Sequence, residues 1–174
     1  MSGMRDLSTI MSPPVRRLPV QTTVCQDEDA VIKTAIGREL QRAGQVYFLY
    51  NRVNTIEKAA DRLRGLFPAA RVEVGHGQMA EHELEKVMGN FIEGRTDILV
   101  CTTIIESGID VPNANTIIID RADRLGLAEL YQLRGRVGRW NRQAYAFLLL
   151  PKSMILTGTA RERIAAIRKY THLG

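Results

Sequence analysis

Long hydrophobic runs and paired cysteines are both missing from this 174-residue chain. No stretch approaches the roughly 18 apolar residues that a membrane helix needs, and the first residues lack the apolar core of a secretory signal. The two cysteines, Cys25 and Cys101, have no zinc-type spacing and are too few for a disulfide framework. We therefore expect a cytoplasmic protein, without membrane contact, in which both thiols are reduced core residues.

Lysine is also scarce, since it provides only five of the 24 basic residues, against 19 acidic ones, in a chain of net charge +5. Arginine is favoured where a phosphate is bound through two parallel hydrogen bonds, but a GC-rich genome explains the same bias equally well. None of the lysines follows a glycine, so the Gly-Lys-Ser/Thr loop that cradles nucleotide phosphates is absent. We expect no autonomous ATP hydrolysis by this chain.

Strands and helices alternate along the chain from residue 21. The segment 46–50 is apolar throughout and 98–102 is apolar up to Thr102, which is typical of strands buried on both faces. The helix over 84–92 places apolar residues at helical spacing, and Asp27 and Asn54 are expected to cap the helices that follow them. This pattern predicts an α/β fold with a parallel sheet and helices on both faces, and its ligands belong beyond the carboxyl ends of the strands.

The run Gln132-Leu-Arg-Gly-Arg-Val-Gly-Arg139 carries the strongest chemical signal. A helix predicted over about 127–138 would project Arg136 and Arg139 from one face, because they are three residues apart. Two guanidinium groups suit a triphosphate whose charge spreads over its γ-oxygens during hydrolysis. Gly135 and Gly138 cost a helix about 1 kcal/mol each, which favours close approach to a ligand or a facing lobe over a plain solvated helix.

A second run, Thr102-Thr-Ile-Ile-Glu-Ser-Gly-Ile-Asp-Val-Pro112, follows a buried strand. The hydroxyls of Thr102 and Thr103 and the neighbouring amides can bind nucleic-acid phosphates. Gly108 permits close backbone approach, and Asp110 can accept from a ribose hydroxyl or orient an arginine. An ordinary strand–turn–strand connection explains this spacing equally well.

Together the two runs resemble motifs V and VI of the superfamily 2 helicases and translocases. Asn51-Arg52 is placed like motif IV, and Gly75-His-Gly-Gln-Met79 resembles the segment of these enzymes that touches the DNA backbone. The sequences of residues 75–79, 101–119 and 132–139 more narrowly resemble those of the bacterial transcription-repair coupling factors (Mfd). The fork-remodelling translocase RecG is a related enzyme with similar motifs. The resemblance extends over nearly the whole chain.

The resemblance implies a second RecA-like lobe whose Arg136 and Arg139 act as catalytic arginine fingers. It also implies that Gly108, Asp110 and Gln132 contact the nucleotide together with these arginines. The residues that it implies for nucleic-acid binding are Asn51, Arg52, His76, Gly77, Thr102, Thr103 and Glu106. ATP and Mg²⁺ would be held mainly by the preceding RecA-like lobe, and no metal site is expected here.

For the whole protein, the resemblance implies a motor that moves along double-stranded DNA and displaces stalled RNA polymerase. RNA polymerase and the excision-repair protein UvrA would bind through regions outside this chain. Residues 1–20 are then a linker from the first lobe, 21–152 the second lobe, and 153–174 the truncated start of a helical translocation hairpin. A RecG-like fork remodeller, an RNA helicase lobe and a non-catalytic DNA-binding module remain as alternatives.

Three other features allow two interpretations. The acidic stretch 27–30 looks like the acid box of an ATPase, but without a phosphate loop it is better explained by capping and the helix dipole. His76 suits either a nucleic-acid contact or local hydrogen bonds. Trp140 suits either packing at the rim of the lobe or stacking on a base.

Overall fold

The computed structural model describes residues 19–103, 111, 113–138, 142–152 and 158–169. The strands are β1 Gln21–Gln26, β2 Gln45–Leu49, β3 Val72–Gly75, β4 Ile98–Cys101, β5 Ala114–Ile119 and β6 Tyr145–Leu150. The helices are α1 Asp29–Gln41, α2 Ile56–Leu66, α3 Glu81–Ile92, α4 Leu127–Arg134 and α5 Gly158–Lys169, with short 3-10 helices at Val53–Thr55 and Ala122–Arg124.

The strands form one six-stranded sheet in the order β1-β6-β5-β2-β4-β3. Every neighbouring pair is parallel. Alternate residues of each central strand point to opposite faces, so Tyr47 and Leu49 of β2 pack with α3, α4 and α5 while Val46 and Phe48 pack with α1 and α2. The predicted parallel sheet with helices on both faces is confirmed.

The adjacent strands β2 and β5 form the point at which the connections of the sheet diverge. The chain leaves β2 through α2 on one face and leaves β5 through α4 on the other face. In open parallel sheets such a divergence opens a crevice beyond the carboxyl ends of the two strands, and ligands bind there. The residues after Leu49 and after Ile119 therefore lie where a ligand site is expected.

Two predicted helix caps are wrong. Glu28, not Asp27, precedes the first turn of α1, and it makes no capping hydrogen bond through its side chain. Asp27 accepts from Arg62 of α2 instead, at 2.8 Å. Asn54 lies inside the 3-10 turn before α2, and the hydroxyl of the N-cap residue Thr55 is taken by the phenol of Tyr50 at 2.7 Å. At Asp27 a side chain from another helix takes the group that was expected to cap, and at Thr55 the phenol of Tyr50, five residues earlier, does the same.

Helix α4 ends earlier than the sequence pattern predicts, and this changes the geometry of the arginine run. Its last residue is Arg134, Gly135 is the C-cap, and Gly138 has φ of 104°. That φ lies in the region that favours glycine, so Gly138 serves a turn rather than a close-packed helix. The helix predicted over about 127–138 therefore stops before Arg136, and Arg139 lies outside the described residues.

Most of the apolar residues that helical spacing places in the core are buried in the structure. Val87 and Phe91 of α3 are buried, and the Phe91 ring lies edge-on to Tyr47 with centroids 4.9 Å apart. Ile92, expected on the same stripe, is the last residue of α3 and is 42% exposed. Ile164 and Ile167 of α5 are buried as expected. Among the described residues, no helix has both the length and the apolar character needed to cross a membrane.

Of the two free thiols, Cys101 is buried as expected, whereas Cys25 is only half-buried. Burial, together with the nearby Asp27 carboxylate, raises the pKa of Cys25 to about 11. Burial also raises the pKa of Cys101. Neither side chain is therefore an activated nucleophile, since the reactive form of cysteine is the thiolate.

Candidate nucleic-acid and nucleotide interface

Asn51 and Thr103 come together at the carboxyl edge of the sheet. Strands β2 and β4 are neighbours, and their register pairs Leu49 with Cys101, which brings the residues two positions further along opposite one another. The side-chain carbonyl of Asn51 accepts the backbone N–H of Thr103 at 2.8 Å. The hydrogen bond joins the predicted motif IV and motif V segments and holds the first residues of the latter in place.

Thr102 lies just beneath this contact. It is 8% exposed, and its hydroxyl has no hydrogen-bond partner among the described residues. Its backbone N–H donates to the carbonyl of Gly75 at 3.3 Å, which ties it to the end of β3. A buried hydroxyl at a ligand-bearing edge is a candidate for a partner supplied by the neighbouring segment or by a ligand.

Arg52 is held by Asp120, a residue that the sequence reasoning did not select. Its guanidinium group donates to the Asp120 carboxylate at 2.8 Å and lies over the ring of Tyr50, 4.5 Å from the centroid. Burial raises the pKa of Asp120, and the hydrogen bond and charge of Arg52 offset part of that rise. The signal available in the sequence was an acid placed directly after the apolar residues Ile117 to Ile119 of β5, at the edge where ligands bind.

Two further arginines follow Asp120. Arg121 has a positive φ of 50° and donates two hydrogen bonds, of 3.0 and 2.8 Å, to the carboxylate of Asp123. The hydrogen bonds from Arg121, opposed by burial, lower the pKa of Asp123. Beside them lies a crevice of about 180 Å³, which we call the β2–β5 crevice. It is lined by Asn51, Arg52, Asp120, Arg121, Arg124 and Leu125.

His76 and Gly77 lie in the turn after β3. The His76 Nδ1 accepts the backbone N–H of Gln78 at 3.2 Å, and the backbone N–H of His76 donates to the sulfur of Met79 at 3.3 Å. The residue is only half-exposed, whereas Gly77 is exposed. Local hydrogen bonds thus orient the imidazole at the same carboxyl edge, where its second nitrogen is the one left for a ligand.

Gln132 and Arg136 lie at the end of α4. Gln132 is exposed in the last turn, and Arg136 is half-exposed in the turn that follows, where its backbone N–H donates to Leu133 at 3.0 Å. No hydrogen bond or ion pair within the described part of the chain joins Arg136 to the Asn51–Thr103 contact. Four other predicted site residues lie outside the described residues, as does Trp140. They are Glu106, Gly108, Asp110 and Arg139.

Arg134, in the middle of the same run, is a buried cation that sequence reasoning missed. Only 5% of the residue is exposed, and its guanidinium group lies 5.1 Å from the centroid of the Tyr131 ring. Burial lowers its pKa, and the nearby Tyr131 opposes this change. Arg134 therefore belongs to the interior of the arginine run, whereas Gln132 and Arg136 remain accessible.

The chain matches a known protein family over more than half of its length. Residues 28–141 match the family described as the helicase conserved C-terminal domain. The chain belongs to the helicase C-terminal domain family. This helicase C-terminal domain is 58% identical over all its 174 residues to the transcription-repair-coupling factor of Escherichia coli (strain K12). It is 55% identical over the same length to the factor of Bacillus subtilis (strain 168). The chain spans 15% of the length of each relative.

Solved structures show the same architecture. A structure of RecG bound to a three-way DNA junction superposes with a TM-score of 0.74 at 35% identity, covering 91% of this chain and 22% of that protein. The C-terminal domain of the DEAD-box protein Dbp5 superposes with a TM-score of 0.62 at 19% identity, covering 87% of this chain and 85% of the other. The second likeness concerns the fold alone. The RecA-like helicase lobe predicted from the sequence is confirmed.

Proposed function

We propose that this helicase C-terminal domain is the second motor lobe of an ATP-dependent double-stranded DNA translocase that acts in transcription-coupled repair. The observation that carries the proposal is the Asn51–Thr103 contact, which joins two predicted DNA-binding segments across adjacent strands. The identity of 58% to the coupling factor of Escherichia coli over the whole chain favours this type of translocase. The half-exposed His76 and the exposed Gly77 extend the same edge.

The proposed role in ATP hydrolysis belongs to the arginine run. Gln132 and Arg136 are accessible to a nucleotide bound by another lobe, which is the arrangement that an arginine finger needs. We assign Arg136 and Arg139 to the stabilisation of charge on the γ-phosphate in the transition state. Gly108 and Asp110 are assigned to nucleotide contacts, and ATP and Mg²⁺ to the preceding lobe, so the isolated chain is expected to be inactive.

In this proposal the whole protein displaces stalled RNA polymerase and recruits UvrA through regions outside this chain. Closure of the two lobes on ATP would bring the arginine run to the nucleotide while the carboxyl edge of the sheet tracks the duplex. A RecG-like fork remodeller is the second candidate, because RecG shares 35% identity over 91% of this chain. Displacement of polymerase, rather than regression of a fork, is the activity that separates the two.

The first test joins this chain to the preceding lobe and measures ATP hydrolysis with and without DNA. Arg139→Ala is expected to lower the DNA-stimulated rate by roughly 10³-fold, the effect typical of a lost arginine finger. Arg95→Ala is the matched control, because Arg95 is an exposed arginine beside Glu93 in the connection that leads into the amino end of β4, away from the carboxyl edge of the sheet. Unchanged turnover in Arg139→Ala would exclude the finger role.

The choice of activator tests the nucleic-acid assignment. Double-stranded DNA is expected to stimulate hydrolysis more strongly than RNA of the same length at the same salt concentration. Stronger stimulation by RNA would favour an RNA helicase lobe. DNA binding that never depends on nucleotide in the joined protein would favour a non-catalytic binding module.

A further inference from the structure

The β2–β5 crevice lies at the position where an open parallel sheet binds its ligands, yet none of the predicted contacts to the nucleotide fills it. Its walls are the segment after β2 and the 3-10 helix after β5, which leave the sheet on opposite faces. Its volume of about 180 Å³ suits a single phosphate group with part of a sugar rather than a whole nucleotide. The crevice is therefore a candidate subsite for a small anionic group.

The charges around the crevice are not equivalent. Arg52 is neutralised by Asp120, and Arg121 by Asp123, through hydrogen bonds of 2.8 Å in each pair. The carboxylates are almost fully covered, with side-chain exposures of 6% and 4%. Arg124 is exposed and makes no side-chain hydrogen bond or ion pair with any described residue. Within the described residues, the crevice therefore has two buried acids, each paired with an arginine, and at its rim Arg124, which has no ion pair.

Hydrogen bonds to its backbone hold the turn that carries Arg124 in place. It closes the 3-10 turn through a backbone hydrogen bond from its N–H to Arg121, 3.0 Å long. That turn is also tied to α5, because Arg163 donates to the backbone carbonyl of Asp123 at 2.6 Å. The backbone that carries Arg124 is thus held from two sides while its side chain remains available.

We propose that the β2–β5 crevice binds one phosphate of the DNA backbone, with Arg124 as the principal donor and Arg52 as the second. The inference rests on the proposed function and adds a contact to it, since Arg124 belongs to none of the predicted DNA-binding segments. The DNA backbone is favoured over the nucleotide because Asn51 lines the crevice and also holds Thr103. The crevice is therefore continuous with the predicted DNA-binding edge.

The experiment measures DNA affinity of the joined two-lobe protein as a function of salt for the wild type and four variants. Each phosphate contact to duplex DNA contributes about 0.9 to the slope of log K against log salt. Arg124→Gln is expected to reduce that slope by about 0.9 and to weaken binding about tenfold at 0.1 M salt. Arg124→Lys, which keeps the charge, is expected to restore most of the slope.

The controls separate this contact from general electrostatics. Arg95→Gln removes an exposed arginine near the amino end of β4, away from the carboxyl edge of the sheet, and is expected to leave the slope unchanged. Arg52→Gln is expected to lower the slope as well, by less than Arg124→Gln, because its charge is already shared with Asp120. The KM for ATP, measured with saturating DNA, reports whether the phosphate belongs to the nucleotide instead.

Three outcomes would overturn the inference, and they are distinguishable. If the wild type shows DNA-stimulated hydrolysis but Arg124→Gln matches Arg95→Gln, the crevice is not a DNA subsite and the proposed function stands. If Arg124→Gln raises the KM for ATP with an unchanged salt slope, the phosphate is that of the nucleotide. If the wild type itself neither binds DNA nor responds to it, the proposed function fails together with the subsite.

Discussion

Two buried carboxylates, one near the amino ends and one near the carboxyl ends of the strands, each pair with a different arginine. Each of these arginines also lies over a tyrosine ring. Glu39 of α1 accepts two hydrogen bonds from Arg42, of 2.9 and 2.6 Å, near the amino ends of the strands. Asp120 accepts from Arg52 at the carboxyl ends. The arginines lie 5.4 Å and 4.5 Å from the centroids of Tyr145 and Tyr50.

The surroundings of the two pairs differ. Glu39 also accepts the hydroxyl of Thr116 at 2.5 Å, and Arg42 also donates to the backbone carbonyl of Gln143 at 2.6 Å. The arginine side chains are 25% exposed in the first pair and 43% exposed in the second. At the amino end, the charged groups of Glu39 and Arg42 form hydrogen bonds that join the end of α1 to β5 and to the segment just before β6. At the carboxyl end one guanidinium group still faces solvent, which leaves it accessible to a ligand.

The largest effect on stability is expected for Gly44→Ala, because the added methyl group would displace the Glu39 carboxylate from its pair with Arg42. A Cβ at position 44 would lie 1.7 Å from Oε2 of Glu39, a carboxylate held by three hydrogen bonds. Displacing it breaks a buried ion pair, and we expect a loss of about 3–5 kcal/mol in the free energy of unfolding, measured in urea.

Gly65→Ala is the matched control for that substitution. A Cβ there meets no atom within 4 Å, and residue 65 lies within α2. Alanine is a better helix former than glycine, so this variant is expected to gain about 0.5–1 kcal/mol. If both variants lost similar amounts of free energy of unfolding, the loss in Gly44→Ala could not be assigned to the Glu39–Arg42 ion pair.

Replacing the arginine of each pair with alanine is expected to have an intermediate effect on the free energy of unfolding. Arg42→Ala leaves the carboxylate of Glu39, which is 0% exposed, without its charged partner, and we expect a loss of about 3 kcal/mol in stability. Arg52→Ala removes a half-exposed partner and is expected to cost less than about 1 kcal/mol, while lowering the DNA affinity of the joined protein. Urea unfolding and DNA titration of both variants test this, and a larger stability loss for Arg52→Ala would reverse the comparison.

The smallest effect is a pH dependence of opposite sign for two aspartates. Burial raises the pKa of Asp120 despite Arg52, so its ionised form costs stability at neutral pH, and that cost is relieved as the pH falls through the folded pKa. Burial opposes ionisation of Asp97 as well, but Arg71 outweighs it and lowers the pKa. The stability that Asp97 contributes is therefore lost as the pH falls through its folded pKa.

Asp120→Asn and Asp97→Asn variants measure these contributions. Between pH 7 and about pH 3, the free energy of unfolding of the wild type should rise relative to Asp120→Asn and fall relative to Asp97→Asn. The second change is expected to stay below about 1 kcal/mol, because the Arg71 side chain is 56% exposed. Changes of the same sign in both variants would contradict the assigned pKa directions.

Much of the fold could be predicted from local patterns, and the errors have a common cause. The buried strands and the core stripe of α3 follow from apolar periodicity, which does not depend on distant residues. The predicted carboxyl end of α4 and the predicted caps at Asp27 and Asn54 were wrong, because the turn at Gly138 and side-chain hydrogen bonds from Arg62 and Tyr50 compete with local preferences. The roles of Arg136 and Arg139 came from a motif resemblance and remain predictions.

The sequence by itself determined that this chain is a parallel α/β lobe of the helicase type, because continuous apolar strands and motif residues are local properties. Tertiary structure alone decided which strands are neighbours. That order brings Asn51 to Thr103 and Arg52 to Asp120, residues 52 and 68 positions apart in the chain. It also left Arg124 at the rim of the β2–β5 crevice without an ion pair to any described residue, because charge pairing depends on distance in space rather than along the chain.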